Sequence, residues 1–370
     1  MPNIKKGMMG AAGVSAAGYT IFGWGAAYFG AINYRSSPIQ IGDASEWLDM
    51  SSGGGYVLGI KTGNTLWSWG SAYGGQRGDN LATGTTTSPI QVGSLTDWEN
   101  VFGGPGCSYA TKTDGTLWAW GYGLGGMIGN GGEVSYSSPI QIGSLTDWGS
   151  AKIETTLLSV HAIKSDGTLW GWGSGRDGKL GIGTEINTSS PIQVGALTTW
   201  TSLGAMATGV AAIRNDGKLF AWGDNGFGFL GFNNTIDYSS PVQIGSLTDW
   251  SKVAGHTSGW CAIKADGTMW GVGQNEYYGQ VGDSTTISRS SPVQIGALTS
   301  WSDIRGTRQN TIALRDDGTL WAWGDNAGRG LNAQGNALNY SSPIQIGSLT
   351  NWALIGSSGA ASYAAFGIAT

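Results

Sequence analysis

A Ser-Pro-x-Gln-x-Gly segment returns seven times along the chain, with its prolines at Pro38, Pro89, Pro139, Pro191, Pro241, Pro292 and Pro343. The intervals are 51, 50, 52, 50, 51 and 51 residues. A fixed period of about 50 residues restricts a chain to a propeller, a solenoid or another array of stacked units. One copy reads Asp114-Gly115-Thr116-Leu117-Trp118-Ala119-Trp120-Gly121, then a loop, then Ser138-Pro139-Ile140-Gln141-Ile142-Gly143-Ser144-Leu145-Thr146-Asp147-Trp148.

The repeat starts and stops in mid-unit. Thr20-Ile21-Phe22-Gly23-Trp24-Gly25 aligns with Thr116–Gly121, and the copy opened by Trp352 runs only to the strand around Ser362–Ile368. The two fragments complete one unit. An open solenoid needs polar caps at its ends, whereas a ring needs its ends to pair. The expected fold is therefore an all-β, seven-bladed β-propeller over 19–370, closed by pairing of N- and C-terminal strands. Three C-terminal strands and one N-terminal strand are expected in the closing blade. Residues 1–18 match no part of the repeat and read as a flexible Gly/Ala-rich arm. Lys5, Lys6, Met8 and Met9 make that arm a candidate docking peptide.

Each unit reads as four short strands, with the Asp-Gly pairs at Asp114, Asp166, Asp216, Asp266 and Asp317 expected to form type I′ hairpin turns. Three aromatic slots per unit make 21 in all. Trp fills 18 of them, and Phe22, Phe220 and Val272 fill the rest. These tryptophans are expected to pack between blades, since each aromatic buries roughly 150–250 Å². Trp260 alone lies off the template and reads as a surface aromatic. The sevenfold glutamines (Gln141 and its equivalents) are expected to satisfy backbone groups between blades. The basic ring of Lys61, Lys112, Lys164, Arg214, Lys264 and Arg315 reads as a balanced polar edge.

Composition excludes several function classes. A net charge of −5 opposes a nucleic-acid partner. No run of 18 apolar residues occurs, so no membrane insertion is expected. Two cysteines, Cys107 and Cys261, and two histidines, His161 and His256, supply neither a disulfide framework nor a zinc set. Gly121–Gly126 contains Gly-x-Gly-x-x-Gly, but no helical pattern follows it, so no dinucleotide site is read. No cofactor and no catalytic set are expected, and the chain reads as a non-enzyme.

Propellers carry function on loops. One loop set precedes each Ser-Pro segment and holds Tyr34, Phe227, Phe229, Tyr277 and Tyr278. Three residues before each proline stands a ring of Arg35, Thr86, Tyr136, Thr188, Tyr238, Arg289 and Tyr340. A second loop set carries His256. These are the candidate binding residues.

The unit resembles the regulator of chromosome condensation repeat. The residues that carry this are Ile163-Lys164-Ser165-Asp166-Gly167-Thr168-Leu169-Trp170-Gly171-Trp172-Gly173, then Gly178-Lys179-Leu180-Gly181, then Ser190-Pro191-Ile192-Gln193-Val194. The resemblance implies a seven-bladed propeller. It also implies a binding role, which in the eponymous member is nucleotide exchange on a small GTPase. The family's third-strand histidine is replaced here at Tyr56, Cys107, Ser159, Gly209, Gly259 and Asn310, which separates the chain from that activity. This version of the repeat looks most like those of environmental bacteria and marine bacteriophages, and the start Asn3–Gly10 looks like the starts of phage particle proteins. The start is not read as an export signal. The expectation is a virion protein displaying a propeller, bound to other virion proteins through its arm or one face, with loops for a host-surface glycan or receptor. The alternative is a cytoplasmic exchange-factor-like or scaffolding propeller.

Overall fold

The computed structural model describes residues 20–25, 35–42, 46–326, 331–358, 362 and 364–370. Seven sheets follow one another along the chain, antiparallel except where Ser357–Ser358 adds to the inner strand of the first as a short parallel pair. The second blade shows the plan. Its strands are Trp98–Gly103, Cys107–Lys112, Leu117–Gly121 and Tyr136–Gln141, from the axis outwards. The first strand is almost wholly buried and the fourth is only half-buried, which fixes inside and outside. Each strand pairs with its chain neighbour, as in Val101 with Ala110, Ala110 with Trp118, and Trp118 with Gln141. The inner strands of the seven blades are Trp47–Ser52, Trp98–Gly103, Lys152–Thr155, Trp200–Ala205, Trp250–His256, Trp301–Gly306 and Trp352–Ile355.

The seventh blade closes the ring. From the axis outwards it contains Trp352–Ile355, Ala364–Ala369, Thr20–Gly25 and Arg35–Gln40. Two strands therefore come from each end, not three and one. The difference lies with Tyr340–Gln345, which pairs with Leu320–Gly324 as the outer strand of the sixth blade. Each Ser-Pro-x-Gln strand finishes the blade that precedes it, and the Gly-Ser-Leu-Thr-Asp segment crosses to the next. Closure is reinforced by the Ser52 and Ser362 hydroxyls, 2.7 Å apart, and by the Trp24 indole donating to the Leu331 carbonyl at 2.9 Å.

The core lies between blades. One cluster joins Cys107, Tyr109 and Leu117 of the second blade to Trp148, Ile153, Val160 and Trp172 of the third. The crossover tryptophans supply its outer layer: Trp148 meets Trp170 and Trp172 edge-on at centroid distances of 5.9 and 6.2 Å. The inner indoles Trp120, Trp172, Trp222 and Trp323 each donate to a loop carbonyl of the preceding blade, at 2.9–3.1 Å. The packing role expected of the template tryptophans is what these contacts show.

Trp260 belongs to the same scheme and is no surface aromatic. It is fully buried and faces Val272 across the strand pair. In the fourth blade the matching pair is Val210 and Trp222. The fifth blade has exchanged the two side chains. Its indole still reaches the preceding blade, donating to the Leu230 carbonyl at 3.0 Å.

Three other details differ from expectation. In the Asp-Gly turns only the glycine has positive φ, 83° at Gly115, with its N–H bonded to the Lys112 carbonyl at 2.9 Å. This is a type I turn with a left-handed glycine rather than type I′. The aspartate has a different task. Asp166 accepts from the Thr168 hydroxyl at 2.7 Å, and that oxygen accepts from the Trp170 indole at 2.8 Å. These hydrogen bonds hold the Asp166 carboxyl below its usual range. Gln141, Gln243 and Gln294 bond to the carbonyl two residues on, within the crossover rather than between blades. The basic ring is threaded between indoles: the Lys164 ammonium lies 4.2 Å from the ring centroids of both Trp148 and Trp170, and 2.9 Å from Asp147. Where the crossover lacks an acid, at Thr199 and Ser300, the base is arginine and pairs with the hairpin acid instead, Arg214 with Asp216 and Arg315 with Asp317.

Candidate functional site

Successive antiparallel strands alternate in direction, so the two ends of the propeller carry different material. The turn face holds the Asp-Gly turns and the crossovers. The loop face holds the long loops before each outer strand and the short loops after each inner strand. Both predicted loop sets therefore share one face.

On the loop face, Phe227 and Tyr277 of adjacent blades are the exposed aromatics predicted, at 77% and 66%. Phe227 stacks on half-buried Phe229 at 5.4 Å, and Tyr277 lies against half-buried Tyr278 at 6.1 Å. The same face carries a repeated apolar position that sequence reasoning missed. Val134, Ile186, Ile236, Ile287 and Leu338 are each 61–67% exposed. Each stands two residues before the Tyr/Thr/Arg ring, a spacing visible in the sequence.

The Tyr/Thr/Arg ring itself braces loops. Tyr136, Tyr238 and Tyr340 are half-buried and accept from Asn130, Asn234 and Asn336 at 2.9, 3.0 and 2.9 Å. The Arg289 guanidinium holds Asp283 at 2.7 Å. Arg35 opens the outer strand of the closing blade. Tyr34, and the arm with Lys5, Lys6, Met8 and Met9, lie outside the described residues.

His256 is a correction. It ends an inner strand, is fully buried, and neither ring nitrogen has a hydrogen-bond partner among the described residues. Burial pushes its pKa down to about 4. His161 is also driven to about 4 by burial, although its Nε2 meets the Lys179 carbonyl at 2.9 Å. Cys107 and Cys261 are buried free thiols, each pushed up to about 12 by burial, far from the thiolate a nucleophile needs.

The axis holds a second candidate. The inner strands open at the turn face and converge at the loop face. Thr201, Ser251 and Lys252 near the strand starts are exposed, while Gly204, Gly255 and Gly306 further along are buried. At the converging end a Cβ on Gly306 would come within 1.9 Å of the Gly255 carbonyl oxygen, so only glycine fits. Beyond it, backbone bonds pass from blade to blade: Leu157 to Ala207, Ala207 to Thr257, Thr257 to Arg308 and Arg308 to Ser362, at 2.8–3.2 Å. The space left is a cup of about 380 Å³ on the third to seventh blades, lined by Lys152, Glu154, Lys252, Asp303 and Arg305 among others. Asp303 binds both Lys252 and Arg305, at 3.2 and 3.1 Å. Burial works against its charge, but Arg305 and Lys252 outweigh burial and hold its carboxyl below the usual range. Lys152 donates to the Thr201 carbonyl of the next blade. Burial lifts Glu154 to about 7, against the pull of Arg305. Among the described residues no group of three metal-ligating side chains occurs, and no helix is long and apolar enough to cross a membrane.

A seven-bladed ring closed by both chain ends, with loops free on one face, defines a binding propeller. Residues 166–211 and 216–263 match the Regulator of chromosome condensation (RCC1) repeat, and residues 303–330 match a second form of it. The chain thus carries repeats of the regulator of chromosome condensation type within its seven-bladed propeller. It is similar to the mitochondrial RCC1 domain-containing protein RUG3 of Arabidopsis thaliana, 30% identical over 155 residues, covering 40% of this chain and 34% of the relative. It is also similar to the Arabidopsis thaliana ultraviolet-B receptor UVR8, 27% identical over 244 residues, covering 49% of this chain and 54% of the relative. The matched part is thus about half or less of these curated relatives. Among solved structures, human WBSCR16 superposes with a TM-score of 0.83 at 18% identity, covering 95% of this chain and 99% of the other. Yeast RCC1 (Prp20), solved with Kap60, gives 0.78 at 16% identity, covering 95% and 89%. At such identity the likeness is one of fold.

Proposed function

We propose that this chain is a non-enzymatic binding propeller of a bacteriophage particle, whose loop face contacts a host-surface or particle component. The observation that carries the binding role is the exposed ring of Val134, Ile186, Ile236, Ile287 and Leu338, with Phe227 and Tyr277, on one face. One exposed apolar side chain recurs at the same loop position of five successive blades, and aromatic residues such as Phe227 and Tyr277 are enriched among those that carry binding energy. The phage setting is supported by the resemblance of its near-identical repeats to those of marine bacteriophages. Its arm, with Lys5, Lys6, Met8 and Met9, is then the docking segment.

Immunogold electron microscopy of particles purified from the source culture tests this reading. Label at a fixed position on particles is expected. Clean particles, with the chain confined to the soluble fraction of the cell, would overturn the virion role. Prp20p is described with binding properties to Gsp1p and histones, so a pull-down against small GTPases is the companion measurement, and specific capture there would favour an exchange-factor-like role. A Phe227→Ser/Ile236→Ser/Tyr277→Ser variant should keep its melting temperature and lose particle or host-surface binding.

A further inference from the structure

The axial cup lies at the opposite end from the loop-face ring and has its own chemistry. Three cations, Lys152, Lys252 and Arg305, face two carboxylates, Asp303 and Glu154. Asp303 is satisfied by Lys252 and Arg305. Lys152 has a carbonyl for one of its three N–H donors and no carboxylate partner among the described residues. Glu154, half-buried two residues along on the same strand, has no hydrogen-bond partner among the described residues. Lys152 and Glu154 share a strand face, because side chains two apart point the same way. The cup thus offers one unneutralised cation beside one unsatisfied acceptor.

Burial lifts Glu154 to about 7, and its ionised form, which only accepts hydrogen bonds, is favoured by ligand donors that reach it. Lys152, supported by Lys252 and Arg305, calls for an anion. A bare anion would satisfy the cations and be repelled by Glu154. A cationic ligand would meet three like charges. The volume of about 380 Å³ lies at the small end of ligand pockets and admits one ring-sized molecule. The remaining wall is short and weakly polar, from Ser202, Ala254 and Leu354.

We propose that the axial cup binds a small anionic sugar: a monosaccharide-sized polyol with one carboxylate or phosphate group, its anion at Lys152, Lys252 and Arg305 and its hydroxyls donating to Glu154. The anion enters at the turn face, where Lys152 and Lys252 stand at the rim. The converging glycines Gly255 and Gly306 form the floor. This site is independent of the loop-face ring, and either can fail without the other.

Isothermal titration calorimetry on the full chain tests it, with galacturonate and glucose 6-phosphate as the two anion sources. Galactose and inorganic phosphate are the controls. At least one charged sugar is expected to bind with one-to-one stoichiometry, at least about tenfold more tightly than either control, the scale of one charge-assisted hydrogen bond. Which one binds tells carboxylate from phosphate. Lys152→Gln, which can still donate to Thr201, and Glu154→Gln should each weaken binding by about tenfold. Both should melt as a folded chain, and Ile236→Ser on the loop face should bind as the wild type does. Failure of both charged sugars to bind would overturn the proposal. So would inorganic phosphate binding as tightly as the sugars, or folded Lys152→Gln and Glu154→Gln variants that bind unchanged.

Discussion

Trp260 and Val272 occupy each other's places relative to the pair formed by Val210 and Trp222. The inter-blade space needs one indole with its N–H on a loop carbonyl of the preceding blade, and either of two strands can supply it. Trp260→Val should therefore cost about 3–5 kcal/mol, as a large core deletion does. Val272→Trp alone should cost about 1–3 kcal/mol by overpacking. The double exchange should recover most of the sum, read as a coupling energy in chemical denaturation. Purely additive losses would show that the two positions are not interchangeable. The Asp-Thr-Trp chain makes a second residue-scale prediction. Thr168→Val removes the acceptor of the Trp170 indole and a donor to Asp166, so denaturation should show a loss of about 1 kcal/mol. The fourth blade, with Lys218 and Phe220 in those slots, has neither the indole N–H nor the hydroxyl it needs. There Lys218 pairs with Asp216 at 3.2 Å.

The inner strands are the elements on which the ring depends, since they carry both the close approach at the floor and the charged wall of the cup. Gly306→Ala would place a methyl group 1.9 Å from a backbone oxygen of the neighbouring strand. Backbone cannot rotate away as a side chain can, so a loss above about 3 kcal/mol is expected. Gly143, in a crossover with φ of +60° and open space around it, is the control. Its replacement by alanine should cost only the roughly 1 kcal/mol of a left-handed residue. Equal losses at the two sites, measured by urea titration, would contradict the convergence of the strands.

Closure of the whole ring and its response to pH are set by groups far apart in sequence. The Ser52 and Ser362 hydroxyls lie 2.7 Å apart across the join between first and seventh blades. Ser52→Cys/Ser362→Cys should form a disulfide that raises the melting temperature under oxidising conditions, by the equivalent of about 2–4 kcal/mol, and loses the gain with reductant. For pH, two buried histidines oppose two half-buried carboxylates, Glu154 and Asp49 of the first blade's inner strand. His161 and His256, depressed to about 4, contribute stability that falls as pH drops below the ordinary histidine value of 6.5, because the unfolded chain takes up protons first. Asp49 and Glu154, raised to about 7, contribute stability that is present at low pH and lost as pH rises through 7. Between about pH 4.5 and 6.5 the two pairs cancel. The wild-type melting temperature should be nearly level across that window. Glu154→Gln, which leaves Lys152, Lys252, Asp303, Arg305 and His161 around the site, should fall on acidification. His256→Asn should rise on acidification. Parallel profiles for all three proteins would contradict the assignment.

The period of the repeat was enough to set the number of blades and the packing of the template tryptophans, because each unit specifies its own strand pairs and meets its neighbours through the same side chains every time. The exposed loop aromatics Phe227 and Tyr277 were legible for the same reason, as departures from a known template. Assignment of Tyr340–Gln345 to the sixth blade was not legible, since a strand is inner or outer only by virtue of what pairs with it. Nor was the burial of Trp260, which depends on the side chain across from it. The cup was least legible of all. Lys152, Lys252 and Asp303 stand at one template position, where other blades have Asp49, Asn100, Ser202 and Leu354, and Glu154 and Arg305 stand at another, where other blades have Ser51, Phe102, Gly204 and Ala254. The repeat aligns these two positions but does not by itself say that their side chains face the axis. They meet because the ring brings every inner strand to one axis, where charges far apart in sequence line a single cup.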